Sequence, residues 1–402
     1  MKRRSTKRIK NIHLCPGANE NEVRAKTRRR RSPARQLLRR LLIVAAVLGV
    51  LFLLWNNWEK VAPESVLDWA DIQLGNGEAG EGYPYTIGGS SVVGMGQVGN
   101  YLAVLSDSSL QFFNASAGCV EQRPNTLNDP TLQTAGQYAL VTELGGSRFK
   151  IESRRETVLE MDLQSRTIYA SDLLSSGMVA VATDADSQSY LSHIRVYNKS
   201  GKLVYEYKSG KYLITNVSLA PGGKGLAAIG TTAEGGALKS VLLLFQFSSK
   251  TPTEHVANEQ LLYHVSYLGD AVLVLGDTEY WVVNGKNAQR IAYEGMEPIG
   301  YASSRKIAGL VMRRLGSAAS GEVWLLNSKG DRVKTLPFVG NYRSASCRDT
   351  EFALLSDSTV FIVSDGEHNI QINTPTDTLS AAYYRDTVML LTLRDIQHIQ
   401  YY

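Results

Sequence analysis

The stretch "NVSLAPGGKGLAAIG", Asn216 to Gly230, carries the densest glycine cluster beside a lysine in this chain. Such a loop could cradle a phosphate, with backbone N–H groups as donors and Lys224 as the cation. A phosphate loop, however, runs into a helix and has Ser or Thr after its Lys. Here Gly225 follows Lys224 and the chain continues as "GLAAIGT", a strand pattern, so a tight turn between strands is expected. "GMGQVG", Gly94 to Gly99, matches the dinucleotide fingerprint in spacing but is followed by the strand-like "NYLAVLSD" rather than a helix. "DADS", Asp184 to Ser187, offers two alternating carboxylates, as a calcium loop would, yet no central Gly or terminal Glu follows at the required spacing. It is expected as a solvated loop.

His13, His193, His255, His264, His368 and His398 are scattered, with no His-x-His or His-Glu-x-x-His, so catalytic zinc is not indicated. No Gly-x-Ser-x-Gly elbow occurs. No catalytic, cofactor-binding or metal-ligating residue is therefore assigned. Carboxylate pairs are outside what spacing can test, because a ring-shaped fold brings distant loops together. Cys15, Cys119 and Cys347 fit no metal pattern, and three scattered cysteines make no disulfide framework; a Cys119–Cys347 bond is left open.

Charge is unevenly placed. Residues 1–40 hold 15 Lys and Arg against Glu20 and Glu22, leaving 28 basic and 36 acidic residues in the rest of the chain. The net charge of +5 thus hides a basic tail on an acidic body, and nucleic-acid binding is not expected. Beside the tail lies "LLIVAAVLGVLFLLW", Leu41 to Trp55, without a charged residue. With Leu37 and Leu38 before it and Trp55 and Trp58 as an interfacial belt, residues 37–58 would rise about 33 Å as a helix, enough to cross a bilayer. The following "NNWEKVAPE" has no small-x-small cleavage site, and Cys15 precedes the apolar run, so an uncleaved anchor is expected rather than a signal peptide or lipoprotein. The basic tail, residues 1–36, then stays in the cytoplasm and touches anionic lipid, and the body faces outward. Phosphorylation of Ser32 in "RRRRSPARQLLRR" would weaken that lipid contact.

Residues 59–82 read as a connector, with a short helix in "PESVLDWADIQL" and a flexible break in "GNGEAGEG". From Tyr83 the chain repeats itself. Short apolar runs begin at 101, 138, 178, 225, 271, 307, 352 and 388, from "YLAVLSD" to "VMLLTLR", spaced 36 to 47 residues apart. Apolar residues without alternation suit a strand buried on both faces. Each run follows a small strand and tight turn, and most precede a hairpin such as "IRVYNKSGKLVYEY" or "VWLLNSKGDRVKTL". Asn198/Gly201, Asn284/Gly285, Asn327/Gly330 and Asp365/Gly366 suit those turns. A period near 40 built from four short strands predicts an all-β propeller over residues 83–402. Eight blades are counted; seven would follow if the second repeat were irregular. The last repeat is one strand short, and "YPYTIGG" (Tyr83 to Gly89) is expected to complete it and close the ring, removing two unpaired edges.

The segments "EGYPYTIGGSSVVGMGQVGNYLAVLSDSSLQFFNASAG" and "LGGSRFKIES" resemble a family of Gram-positive, clostridial-type bacteria. Its members have a basic tail, one span and a propeller-like extracellular domain of unknown function. The resemblance covers roughly residues 40 to 402 and transfers no catalytic residue. It implies a single-pass protein of the plasma membrane, and that the sequons at Asn114, Asn198 and Asn216 are unglycosylated. The blade pattern is also similar to WD40-like and quinoprotein-like propellers, although the Trp-Asp signature and a regular tryptophan docking motif are missing. These readings favour a non-enzymatic module that binds or scaffolds an envelope protein, peptide or wall polymer. The alternatives are an envelope enzyme acting on glycan or peptide at the channel mouth, and a sensor signalling through the tail.

Overall fold

The computed structural model describes residues 80–88, 91–185, 187–257, 260–316, 320–366 and 369–401, together with Leu48 and Gly49. The predicted basic tail and most of the predicted span and connector lie outside the described residues. Among the described residues no helix is long and apolar enough to cross a membrane.

The described strands form eight four-stranded antiparallel sheets, each built from consecutive strands except the last. These are the eight blades of a propeller. The inner strands run Val92–Val98, Pro130–Ala135, Ile168–Leu173, Leu213–Leu219, Leu262–Leu268, Met296–Ser303, Tyr342–Arg348 and Thr378–Tyr384 in blades 1 to 8. The second repeat is a complete blade, with strands Pro130–Ala135, Tyr138–Glu143, Arg148–Glu152 and Thr157–Asp162, so the count is eight.

The reason for the unalternating apolar runs is visible in the packing. In blade 1, Ala103 and Leu105 pack into a core shared with blade 2, whereas Leu102 and Val104 pack into one shared with blade 8. In blade 7, Phe352 and Leu354 face blade 6, while Ala353 and Leu355 face blade 8. A second strand thus serves a seam on each face, and both sets of alternate residues must be apolar. The eight apolar clusters each straddle one seam between neighbouring blades. Burying one Leu or Phe in such a seam stabilises by about 1.5–3 kcal/mol. Stability therefore resides between the blades rather than within them.

The ring closes as the missing strand predicts. Tyr85–Thr86 is the outer strand of blade 8, pairing with Ile396 and Asp395. Only two residues pair, so side chains extend the latch. Tyr85 packs against Phe113 of blade 1 at 4.5 Å between ring centroids, Tyr83 meets His398 at 5.7 Å, and the Tyr83 hydroxyl donates to the Asn114 carbonyl at 3.4 Å. Across the same seam the Tyr384 hydroxyl donates to the Asn100 carbonyl, and the Arg385 N–H donates to Gln97 Oε1 at 2.9 Å.

The sequence features that mimic ligand motifs have structural roles. "PGGKG" is the turn between the first two strands of blade 4, with Gly222 and Gly223 at φ of 85° and 66°. The glycines of "GMGQVG" lie on and just after the inner strand of blade 1, and a Cβ at Gly96 would collide with Thr134 of blade 2. Asp184 accepts the Thr167 N–H at 2.8 Å, tying down a loop. The sequon residues Asn114 and Asn198 each accept backbone N–H groups with Oδ1 and close the outer turns of blades 1 and 3; Asn327 repeats this in blade 6. Cys119 and Cys347 form no disulfide with each other; their thiols donate to the Glu121 and Ile307 carbonyls. Burial pushes the Cys347 thiol up to about 12, which keeps it protonated and unreactive.

Candidate functional site

Antiparallel connectivity sorts the loops of a propeller onto two faces. Turns from the first to the second strand and from the third to the fourth lie on one face, here called the back. Turns from the second to the third strand, and the connections between blades, lie on the front. The two faces differ in chemistry. The back turns are polar and charged: Arg305, Lys306, Asp349 and Asp386 are exposed there, and Lys306–Asp349 and Arg348–Asp386 pair across neighbouring turns. The front bears exposed Leu144, Leu191, Leu238, Leu261, Leu315 and Leu393 in its loops and adjoining strand ends.

At the centre of the front face every inner strand but that of blade 2 breaks register near its first residues, by a β-bulge. A bulge inserts one unpaired residue and re-aims its side chain. The seven inserted residues are Val93, Tyr169, Thr215, Tyr263, Ile299, Arg343 and Leu379. Val93, Tyr169, Tyr263 and Leu379 are 38–46 % exposed despite lying in strands. Five of the seven are apolar or aromatic, and Arg343 is the one cation among them.

Below the rim the channel wall has two unlike sectors. On blades 5 to 7 the inner strands supply Tyr263, His264, Tyr267, Tyr301 and Tyr342. The His264 and Tyr301 rings lie 4.0 Å apart between centroids at 32°. Burial lowers the His264 pKa to about 4, so the imidazole is neutral at neutral pH, and burial pushes the Tyr263 and Tyr267 phenols up to about 12. On blades 1 to 4 the positions matching His264 and Tyr301 carry no aromatic ring, and the inner strands offer polar side chains such as Gln133, Asp172 and Asn216. Several bind the next blade. Gln133 Nε2 donates to the Ser171 carbonyl at 2.9 Å, and Asn216 Oδ1 accepts the Val265 N–H at 3.4 Å.

Asp172 is the most perturbed acid here. Its Oδ2 accepts the Leu219 N–H at 2.6 Å across the seam between blades 3 and 4. Desolvation raises its pKa from 3.8 to about 6, against opposing hydrogen bonds from Leu219, Leu173 and Ser218. Because the folded value is raised, the stabilising contribution is complete below the unfolded value and is lost as pH rises through about 6. The shift corresponds to about 3 kcal/mol. Unfolding of Asp172→Asn at pH 4 and pH 7 should therefore show a weaker loss of stability between the two than the original chain shows. Identical pH dependence in both proteins would rule out Asp172 as the source.

Among the described residues, no group of three His, Cys, Asp or Glu gathers as a metal site. His193 is fully buried in blade 3, His255 lies on an outer strand, and His398 packs on Tyr83; His13 and His368 lie outside the described residues. A separate cleft of about 220 Å³ opens between the outer parts of blades 5 and 6, where Arg332 lies 4.3 Å over the Trp324 ring. Sequence reasoning places the inner strands but misses the rim residues and the aromatic sector. The available signal was a large residue followed by a small or polar one at the start of each inner strand: Val93-Gly94, Tyr169-Ala170, Ile299-Gly300, Leu379-Ser380.

The fold is similar to that of the Dos1 propeller, at 9% identity and a TM-score of 0.51, with 78% of this chain and 93% of that one covered. Two further structures match: a eukaryotic initiation factor (12% identity, 77% and 83% covered, TM-score 0.48) and the Pan2 WD40 domain of Neurospora crassa (9% identity, 77% and 89% covered, TM-score 0.46). No curated protein matches the sequence. The model of a family of unknown function, DUF5711, matches residues 84–400, and the chain belongs to that family.

Proposed function

We propose that this propeller is a non-catalytic binding or scaffolding module whose recognition face is the front, centred on the channel mouth. It is tethered by residues 37–58 to the outer side of the plasma membrane of a Gram-positive bacterium, and its partner belongs to the envelope. The observation that carries the binding reading is the ring of exposed Val93, Tyr169, Tyr263 and Leu379 around the mouth. An exposed apolar patch rimmed by polar groups costs solubility and marks interaction surfaces. The perturbed Asp172 is engaged by backbone N–H groups as an inter-blade clamp, which supports a structural role for it over an acid–base one.

Where the chain joins the ring supports the same face. The Gly82 N–H donates to the Ser116 carbonyl at 3.0 Å, and Ser116 lies in a back turn of blade 1. Residues 80–82 thus enter the ring on the back and leave the front uncovered.

The test is site-specific photo-crosslinking of the full chain in intact cells, combined with protease shaving. A crosslinker at Leu379 or Leu393 should capture an envelope component, and one at Asp386 on the back should not. Leu379→Asp should abolish capture at front-face position 393 of the same blade while leaving the melting temperature within about 2 °C, as for an exposed site. Capture mainly from position 386, or protection of the propeller from external protease, would refute this assignment.

A further inference from the structure

The two-sided channel wall indicates the class of ligand. A residue in the middle of an inner strand is flanked by neighbouring blades, so exposure there is exposure to the channel. Tyr301 is such a residue and is 39 % exposed; Tyr263, one bulge above it on blade 5, is 38 % exposed. Tyr301 is braced from behind by His264, and the Tyr342 ring packs so closely on Gly300 that a Cβ there would overlap it. The Tyr301 ring is thus held from one side by His264 while much of its surface stays exposed. Serine hydroxyls line the same sector, with Ser303 donating to Ser266 at 3.3 Å, while on other blades the Gln133 and Asn216 amides are engaged with the next blade.

We propose that the aromatic wall formed by Tyr263 and Tyr301, with the Ser266 and Ser303 hydroxyls on the same two strands, is a carbohydrate site for a neutral sugar unit of a polymer. It rests on the reading of the mouth as a binding site and specifies what enters it. A pyranose presents C–H bonds on its ring faces and hydroxyls at its edge. The C–H face stacks on a tyrosine ring, and the edge needs donors and acceptors of the kind the serine hydroxyls supply. Neutrality of the ligand follows from the wall. The imidazole of His264 is uncharged at neutral pH, and Glu297 is already paired with Arg313 at 2.7 Å. Arg343 stands at the rim, above the stacking surface, and Asp172 is held by the blade 4 backbone.

The experiment is ligand-observed saturation-transfer NMR and calorimetric titration of the detergent-solubilised full chain with chitotetraose, cellotetraose and maltotetraose. At least one should bind saturably at millimolar or lower concentration. Tyr301→Ala should weaken binding by roughly tenfold or more, whereas Tyr301→Phe, which keeps the ring face, should bind as the original does. Asp386→Asn, on the back face, should leave sugar binding unchanged. Three outcomes overturn the proposal: no binding of any of the three sugars, unchanged binding by Tyr301→Ala, or binding only of a carboxylated sugar such as oligogalacturonate that is lost in Arg343→Gln. Loss of crosslinking at the rim with sugar binding intact would count against the front-face reading alone. The reverse pattern would count against the sugar assignment alone.

Discussion

Deleting residues 83–88 is expected to lower the unfolding midpoint by roughly 10 °C. The deleted piece contributes a strand of only two paired residues, Tyr85–Thr86, plus the Ile87 N–H bond to the Arg394 carbonyl at 2.8 Å. Its weight lies in the rings. Tyr85 sits on Phe113, Tyr83 sits on His398, and both join the apolar cluster that seals blade 8 to blade 1. Burial also raises the Tyr83 phenol above its ordinary pKa, as expected of a ring clamped inside a seam. A fully buried aromatic ring costs about 3–5 kcal/mol to remove, and these half-buried ones less, so the pair contributes about 5 kcal/mol. The deletion also bares the edge of the third strand of blade 8, which invites pairing with another chain. Thermal unfolding of the full chain and the deletion, with light scattering for association, checks both effects. Equal midpoints would mean that packing between blades 8 and 1 closes the ring without the latch.

The sequence announces this closure because a propeller is periodic, and the strand that completes the eighth blade stands before the first repeat. The same periodicity explains what was legible and what was not. The second strand of each blade is buried on both faces, so its apolar run is continuous and stands out; Tyr101–Ser106 and Ala271–Gly276 are buried throughout. Outer hairpins announce themselves through turn chemistry, as Asn198 and Asn327 do. The inner strands carry the candidate site and are far less distinct. They combine residues that pack on a neighbour, residues that bind across a seam and residues that face the lumen, and these roles fall on no fixed period. The bulge shifts the phase again. Tyr263 and His264 are adjacent in sequence, yet one is the rim residue and the other braces Tyr301 on the next blade. Only the closed ring assembles Tyr263, Tyr301 and Tyr342, which are spread over three repeats, into one wall. Charge asymmetry between the faces was equally hidden, because front and back turns alternate along the chain and cancel in any local average.

Gly309→Val is expected to destabilise the propeller by about 3 kcal/mol, the upper end of what overpacking a core costs, and Phe352→Ala by about 3–5 kcal/mol. The two should then fail to add when combined. Gly309 lies in the second strand of blade 6, between Ile307 and Val311, whose side chains enter the seam with blade 7. The fully buried Phe352 of blade 7 fills the space where a side chain at 309 would stand, and a Cβ on Gly309 would overlap its ring. An apolar run that includes a glycine at its centre, "IAGLVMR", looks like a weak strand by propensity; the seam turns that weakness into a socket for the neighbouring ring. With Phe352 cut back to Ala the socket is empty, and Val at 309 refills part of it. The double variant should therefore be more stable than the sum of the single losses predicts by about 1–3 kcal/mol, read from denaturant midpoints at constant slope. If Gly309→Val does not fold, Gly309→Ala provides the same cycle with a smaller clash. Strict additivity would mean that the blades relax apart rather than interlock. That result would remove the physical basis for treating the eight seams as the units that hold the ring, and with it the rigid wall on which the sugar site depends.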